Sequence, residues 1–416
     1  MLSPEYIERM TEGAEEIAEK LHTEVLKDIV NRLCRLVENS ENLRLGAQSR
    51  YQIEVLQEAG YLLTDIRKDI AQATGLEEEE IQSVFEKAGI TALAYDKAIY
   101  DKVGLPTPNP KYSPVLYRLL QRAYERTNGE WLNYTLSMLR GANDKFIQAT
   151  DEAYWQIITG TWSSGEVLKK TILRLSQHGV MVTYPSGHTD TLETAVTRAL
   201  RTAVGQTCGD ITAEVAQENG VTCFLTSAHL GARPTHNLWQ GQVFWVDWRE
   251  FARRAQTLPF GKMTFVDAIE NGEIPEATPQ VKAKYREFCQ ATDVYSITGL
   301  CGINCRHSFS PFFDGLSTNP WEDIDLSGND ERYRLEQQQR AMERRIRKMR
   351  RDLDCLEQAL SVISDEFTRE PIEDEHDSLL QRLRSAMAEY QAFSTANGLP
   401  MREERIEIAR KTMPVL

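Results

Sequence analysis

Histidine and cysteine side chains are concentrated in two short stretches near the middle of the sequence. The candidate metal ligands in these stretches are His229, His236, Cys301, Cys305 and His307. Imidazole nitrogen and thiolate sulfur are the ligands that zinc prefers in tetrahedral protein sites. The two stretches are therefore compatible with a structural zinc ion, which is one of two uses that the sequence leaves open. A rigid loop held by hydrogen bonds alone is the alternative use of the same side chains.

The nearest catalytic pattern is that of the zinc deaminases, in which His-x-Glu is followed by Pro-Cys-x-x-Cys. Here His188-Thr-Asp190 has the shorter acid, Cys301 and Cys305 are one residue too far apart, and no proline precedes them. Phosphate-binding loops, dinucleotide-binding glycine motifs and nucleophile elbows are absent from the sequence. We therefore expect no enzymatic activity. The alternative is a metal-dependent hydrolase or nuclease that uses the five candidate ligands, with Asp190 or Asp210 as a base.

A second candidate site is a basic stretch toward the C-terminus. Between Glu331 and Arg351 there are nine basic and three acidic side chains, a local charge of +6 in a chain whose net charge is −14. Basic side chains beside DNA release counterions and so favour binding. A solvated helix face, or a face docked on an acidic partner, accounts for the same charges. The candidate nucleic-acid-binding residues are Arg340, Arg344, Arg345, Arg347, Lys348, Arg350 and Arg351.

The composition is that of an ordinary globular protein. Of 416 residues, 41% are hydrophobic and 26% are charged, and the net charge is negative. These values argue against a disordered or fibrous chain, and against a protein whose whole surface binds nucleic acid. No stretch approaches the roughly 18 consecutive apolar residues of a membrane helix. The first twenty residues carry six glutamates, so we expect neither a secretory signal nor a membrane anchor.

The spacing of apolar residues predicts an α+β fold in three parts. Over most of residues 1–175 apolar side chains recur every three or four positions, which predicts a helical N-terminal domain. Residues 176–315 add β-prone runs at Val221–Thr226 and Gln242–Trp248, which predicts a small mixed α/β central domain around the histidines and cysteines. Residues 316–416 predict a linker followed by long charged helices that form a C-terminal hairpin.

Local signals predict where some of these helices begin and end. Gly75 and Gly104 each come at the end of a helical pattern, where glycine commonly caps a helix C-terminus, so we predict that a helix ends at each of them. A long polar helix is predicted from Glu331 past Leu360. The acidic stretch Asp365–Asp377 is then interpreted as a turn, and a second helix is predicted over Ser378–Ala396.

One combination of residues resembles a known family. It consists of Ser227-Ala-His-x-Gly-Ala-Arg-Pro-x-His-x-x-Trp-Gln-Gly241, followed by Gly302-Ile-Asn-Cys305-x-His307. In order and spacing it resembles the phage minor capsid protein 2 family of tailed bacteriophages and prophages. The matching motif residues are His229, Gly231, Arg233, His236, Trp239, Gln240, Gly241, Cys305 and His307. The resemblance assigns none of them a catalytic role.

The resemblance implies a structural component of the virion. Such a protein would be a minor, portal-associated part of the phage head that acts in head morphogenesis, present in the host cytoplasm during assembly. Its implied partners are portal and capsid proteins, which the apolar stripes of the N-terminal helices would contact, and packaged DNA beside the basic stretch. An assembly chaperone that leaves the head before maturation is a further alternative.

Overall fold

The chain packs into two units, and each unit gathers three separate segments of the sequence. The computed structural model describes residues 2–40, 48–107, 113–159, 162–178, 180–256, 264–272 and 274–408. Unit 1 comprises Met1–Ala14, Glu78–Glu130 and Thr197–Arg334. Unit 2 comprises Glu15–Glu77, Trp131–Val196 and Leu335–Leu416. The three-part linear division of the sequence stays a prediction.

The secondary structure is 71% helical with small mixed sheets, which confirms the α+β class. The elements in chain order are α1 (Pro4–Arg9), α2 (Glu12–Ser40), α3 (Gln48–Val103), α4 (Pro114–Ile158), α5 (Ser164–His178), β1 (Val182–Thr183), β2 (Thr189–Asp190), α6 (Leu192–Glu218), β3 (Cys223–Thr226), β4 (Val243–Trp245), α7 (Trp248–Ala255), α8 (Thr264–Glu270), α9 (Pro279–Lys284), β5 (Arg286–Glu287), α10 (Phe288–Thr292), β6 (Phe309–Pro311), α11 (Asn329–Val362) and α12 (Glu366–Ala396). Two short 3-10 turns lie at Pro234–Leu238 and Glu403–Arg405.

Helix ends were predicted at two glycines, and the structure has a helix end at one of them. Gly104 does follow the end of α3: its φ is +72°, and the amides of Gly104 and Leu105 donate to the carbonyls of Asp101 and Tyr100. The predicted end at Gly75 is wrong, because α3 continues through it. Apolar residues continue the helical period on both sides of Gly75, and a single interior glycine costs a helix only about 1 kcal/mol relative to alanine.

The predicted turn at Asp365–Asp377 is also wrong, since α12 begins at Glu366. The Asp365 carboxylate accepts a hydrogen bond from the Thr368 amide at 2.8 Å and so caps the helix N-terminus. Ile372 is fully buried, and its burial favours the helix despite the acidic neighbours. The predicted C-terminal hairpin is confirmed: the Gln339 side-chain amide donates to the Ser394 hydroxyl at 2.9 Å across α11 and α12.

A four-stranded sheet with the order β5-β4-β3-β6 lies in the core of unit 1. β3 pairs antiparallel with β4 and β6, and β4 pairs parallel with β5. Phe224 of β3 contacts the rings of Phe309 and Phe288, with centroids 4.8 and 5.1 Å away. Residues 203–217 of α6 are all buried. This part of α6 is therefore buried on every side. Together with the aromatic face of the sheet it gives rigid support to the loops that carry His229 and His307.

Unit 2 contains a buried ion network that the sequence did not reveal. Glu193 is 1% exposed and lies 3.0 Å from Nδ1 of His22 and 3.1 Å from the Arg351 guanidinium. The apolar stripe of α2 is buried as well, with Leu21 and Ile29 fully covered. The expectation that this stripe contacts other head proteins is therefore wrong, because its side chains are already packed inside the chain.

Within the described residues, no helix combines the length and the apolar character that a bilayer-spanning segment requires.

Candidate metal centre

The site loops begin and end on neighbouring strands of the unit 1 sheet. β3 leads into the loop that carries His229, and the loop that carries His307 leads into β6. The amide of Ser227 donates to the Ser308 carbonyl at 2.8 Å, and the Ser308 amide donates to the Ser227 hydroxyl oxygen at 3.0 Å. This pairing brings the two imidazoles together, with ring centroids 4.4 Å apart and planes inclined by 26°.

A short 3-10 turn brings His236 to the same place. The turn begins at Pro234, whose fixed φ suits the first position of a helical turn. The Arg233 guanidinium donates to the Ile303 carbonyl at 2.6 Å and so joins the two loops. The Trp239 ring contacts both His236 and His307, at centroid distances of 4.7 and 4.8 Å. The motif tryptophan and arginine therefore position the histidines.

Hydrogen bonds determine which ring nitrogen of each histidine carries the proton. Nε2 of His236 lies 2.8 Å from the Thr298 carbonyl oxygen, which only accepts, so this nitrogen carries the hydrogen. Nε2 of His307 lies 3.1 Å from Oε1 of Gln240. The same oxygen accepts from the His229 amide at 3.1 Å, which identifies it as the acceptor. In the neutral rings of His236 and His307, Nδ1 is therefore the unprotonated nitrogen.

The two unprotonated nitrogens face each other beside a thiol. Nδ1 of His236 and Nδ1 of His307 are 3.3 Å apart, and Sγ of Cys305 lies 3.8 Å from Nδ1 of His307. The three donor atoms all lie within 4.8 Å of one another, and all three residues are buried. Two nitrogen ligands of a tetrahedral zinc ion lie roughly 3.3 Å apart, and a nitrogen and a sulfur roughly 3.6 Å, given the usual bond lengths. The separation of the two nitrogens, 3.3 Å, equals the first value, and that of Cys305 Sγ and Nδ1 of His307, 3.8 Å, is close to the second.

Hydrogen bonds among these three residues cannot give a partner to both unprotonated nitrogens. The Cys305 thiol can donate its single proton to Nδ1 of His307, and Nδ1 of His236 then faces no donor among the described residues. An unsatisfied buried acceptor costs about 1–3 kcal/mol. A cation satisfies all three donors at once. The NH groups on the far side of each ring, held by Thr298 and Gln240, are the outer hydrogen bonds that metal-binding histidines typically make.

The electrostatic surroundings keep the rings in the form that binds metals. Burial lowers the pKa of His229 and of His236 to about 4, and it lowers the pKa of His307 well below its usual value. Burial raises the pKa of the Cys305 thiol, whereas the amides of His307 and Cys301 act in the opposite direction. At neutral pH the imidazoles are uncharged and their lone pairs are free.

The loop that carries the cysteines has an unusual backbone. Cys301 and Asn304 have φ values of +58° and +56°, a conformation that few non-glycine residues adopt. A Cβ added to Gly299 would lie 1.9 Å from the Asp293 carbonyl oxygen, and one added to Gly302 would lie 2.2 Å from the Ser296 carbonyl oxygen. Such strained backbone persists only where the surrounding structure holds it, and it is concentrated at functional sites.

This close approach predicts that Gly302→Ala destabilises unit 1 and weakens metal binding. The new Cβ would clash with backbone atoms, which move only if the loop around Cys305 changes shape. We expect a loss of about 2–3 kcal/mol in the free energy of unfolding, measured by urea unfolding, together with reduced zinc content. The matched control is Gly205→Ala on α6, where no atom outside the neighbouring helix backbone lies within 4 Å of the added Cβ. Equal stability of the two variants would contradict the prediction.

The structure brings together three of the five predicted ligands, and the other two lie at the edge of the cluster. His229 stacks on His307 but is not one of the three mutually close donors. Cys301 Sγ faces α6, since a Cβ on Gly209 would lie 3.4 Å from it. Asp210, an alternative catalytic base, accepts instead from the Tyr295 hydroxyl at 2.5 Å inside the core of unit 1. The other alternative base, Asp190, lies in unit 2, 3.2 Å from Nε2 of His188.

The remaining motif residues shape the first loop. Gly231 and Gly241 have φ values of +77° and +68°, which glycine adopts without strain. Gln240 contacts both His229 and His307, a role that the motif pattern did not specify. Sequence reasoning also missed Thr298, because the contact uses its backbone carbonyl and leaves no signal in the residue type.

The predicted nucleic-acid-binding residues lie on α11 in unit 2. Arg347 pairs with Glu15 at 3.2 Å, and Arg351 pairs with the buried Glu193 at 3.1 Å. These two guanidinium groups therefore neutralise acids inside the unit. The basic side chains of this set that are exposed to solvent are Arg344, Arg345 and Lys348.

Comparison with known proteins identifies a family. A family model described as Phage minor capsid protein 2 matches residues 2–390. No curated protein and no solved structure matches the chain. The matched range contains both site loops and the basic part of α11.

Proposed function

The chain belongs to the phage minor capsid protein 2 family, and from that membership we propose that it is a structural component of a tailed-phage head. It acts in head morphogenesis close to the portal, by binding other head proteins rather than by catalysis. It is made in the host cytoplasm and is retained in the virion. The observation that carries this proposal is the family match over residues 2–390.

Quantitative mass spectrometry of purified mature particles tests the proposed role. We expect this chain to be present in every preparation at a low copy number relative to the major capsid subunit, with the portal protein as the internal standard. Absence from mature particles, together with presence in assembly intermediates, would contradict retention and indicate a transient assembly chaperone. Absence from both would contradict a role in the head.

Exposed apolar side chains in unit 2 support protein binding. Leu132 and Leu136 of α4 are 44% and 49% exposed and are four residues apart, so they lie on the same face of the helix. Trp155 of the same helix is 53% exposed and Phe367 of α12 is 83% exposed. Contiguous exposed apolar surface marks protein contacts, and the adjacent pair Leu132 and Leu136 is the part of this set that offers it. Portal and capsid subunits are the partners that the proposed role requires.

Packaged DNA is the second proposed partner. Arg344, Arg345 and Lys348 are exposed on one stretch of α11 and are the basic side chains of the predicted set best placed to meet phosphate groups. Their number is small, and Arg345 also lies 3.3 Å from Glu389. The DNA contact is therefore a local one that adds to protein binding.

The His236, Cys305 and His307 cluster is proposed to hold a structural zinc ion. Its support is the convergence of two unprotonated nitrogens and a sulfur at separations that suit tetrahedral zinc. The burial of all three residues favours a structural ion over a catalytic one, because a catalytic zinc needs a ligand position that substrate reaches. Metal analysis of purified full-length protein is expected to give one zinc ion per chain.

A further inference from the structure

Nε2 of His229 is buried and has no hydrogen-bond partner among the described residues. Nδ1 of the same ring lies 2.9 Å from the Leu230 carbonyl oxygen, to which it must donate. The neutral ring therefore carries its hydrogen on Nδ1, and its lone pair is on the orphaned Nε2. A buried acceptor without a donor is unfavourable and requires an explanation.

The position of His229 connects it to the other ligands. Its ring stacks on His307 at a centroid distance of 4.4 Å, and its backbone amide donates to Oε1 of Gln240. That oxygen also accepts from Nε2 of His307. One glutamine side chain therefore holds His229 and His307 beside each other.

We propose that His229 supplies the fourth ligand of the zinc site through Nε2 and so closes the coordination sphere. This inference rests on the proposed zinc ion. The ring must turn toward the other donors, because Nε2 is outside the group of three that lie within 4.8 Å of one another. The hydrogen bond from Nδ1 to the Leu230 carbonyl is the outer contact that then orients it, as Thr298 and Gln240 orient the other two rings.

Two competing fourth ligands are less suitable. Cys301 Sγ faces α6 and lines a small cavity with Cys208 and Leu2, and a left-handed φ fixes its direction. A water molecule would leave an exchangeable position, which is the arrangement of a catalytic zinc. The three converging residues are 2–3% exposed, so the cluster gives solvent little access. A structural zinc site has all four positions filled by protein ligands, which a fourth protein ligand would achieve here.

Cobalt substitution of the full-length protein tests the closure. The zinc ion is replaced by Co²⁺, and the visible absorption spectrum is recorded with and without added azide, a small anion that binds an open metal position. We expect a tetrahedral spectrum that azide leaves unchanged. In His229→Gln we expect azide to change the spectrum and the zinc affinity to fall at least about tenfold. The matched control is His188→Gln, an exposed histidine of unit 2, which should behave like the unmodified protein.

The outcomes separate this inference from the zinc proposal. If azide changes the spectrum of the unmodified cobalt protein, the fourth position is open and the inference is wrong, while the zinc site stands. The inference is also wrong if His229→Gln retains the original spectrum and zinc affinity. If the folded, unmodified protein binds neither metal, the zinc proposal itself fails. The azide measurement on the unmodified protein does not depend on any variant folding.

Discussion

Cys305→Ala is expected to abolish stoichiometric zinc binding and to lower the free energy of unfolding by at least about 3 kcal/mol. Structural zinc contributes on the order of 10 kcal/mol in zinc-finger peptides, where the folded site exists only with its metal. Removal of the sulfur leaves His236 and His307 with their unprotonated nitrogens 3.3 Å apart and no thiolate to complete the site. The measurements are zinc content and thermal unfolding, each with and without a chelator.

The chelator distinguishes metal loss from simple loss of packing. The unmodified protein should melt at a lower temperature when the chelator is present, whereas Cys305→Ala should melt at the same temperature with or without it. Cys289→Ala is the matched control, because Cys289 is a fully buried thiol of the same core and is not part of the cluster. This control should keep its zinc. A stable, metal-free, unmodified protein that ignores the chelator would disprove the structural zinc ion.

Arg351→Ala is expected to destabilise unit 2 by about 3–5 kcal/mol, because it leaves the buried carboxylate of Glu193 without its guanidinium partner. Arg344→Ala on the same helix is the control, since Arg344 is exposed and should change stability by no more than about 0.5 kcal/mol. Urea unfolding at pH 7 gives both values. Adding Glu193→Gln to Arg351→Ala should recover part of the loss. If Arg351→Ala and Arg344→Ala lowered the free energy of unfolding by similar amounts, the prediction would be contradicted.

The effect of Arg351→Ala should also depend on pH. Burial alone raises the pKa of Glu193, but Arg351 and His22 outweigh it and hold the pKa below the usual value of 4.5. A carboxyl group with a lowered pKa stabilises the fold above its unfolded-state pKa, and the contribution is lost as the pH falls through the folded-state value. The difference in the free energy of unfolding between the unmodified protein and Arg351→Ala should therefore have its full size at pH 7 and shrink below about pH 4.5.

The long helices were predictable because their apolar period is a local property of the sequence. The same reasoning failed at Gly75 and at Asp365–Asp377, where the outcome depends on packing. Gly75 lies inside a helix that continues on both sides, and Ile372 is fully buried on a helix that packs against α5. Glycine and acidic runs signal only a local preference, and tertiary contacts override it.

The candidate site was predictable in its residue types but not in its grouping. Histidine and cysteine in a dense pattern indicated metal chemistry, and three of the five nominated side chains converge. The orientation of Cys301 depends on a left-handed backbone that the sequence does not specify. The ion network of Glu193, His22 and Arg351 could not be anticipated, because these residues are far apart in sequence and each looks ordinary on its own helix.

The assembly of each unit from three separate segments affects how the protein is made on the ribosome. Unit 1 begins with Met1–Ala14 and lacks its sheet until Thr197–Arg334 has been synthesised, and unit 2 lacks α12 until Leu335–Leu416 emerges. Domains ordinarily fold in order as they leave the ribosome. Here the segments of each unit are separated by segments of the other unit, and contacts between residues so far apart in the sequence are slow to form. Expression fragments that end near residue 175 or 315 would contain neither unit in full.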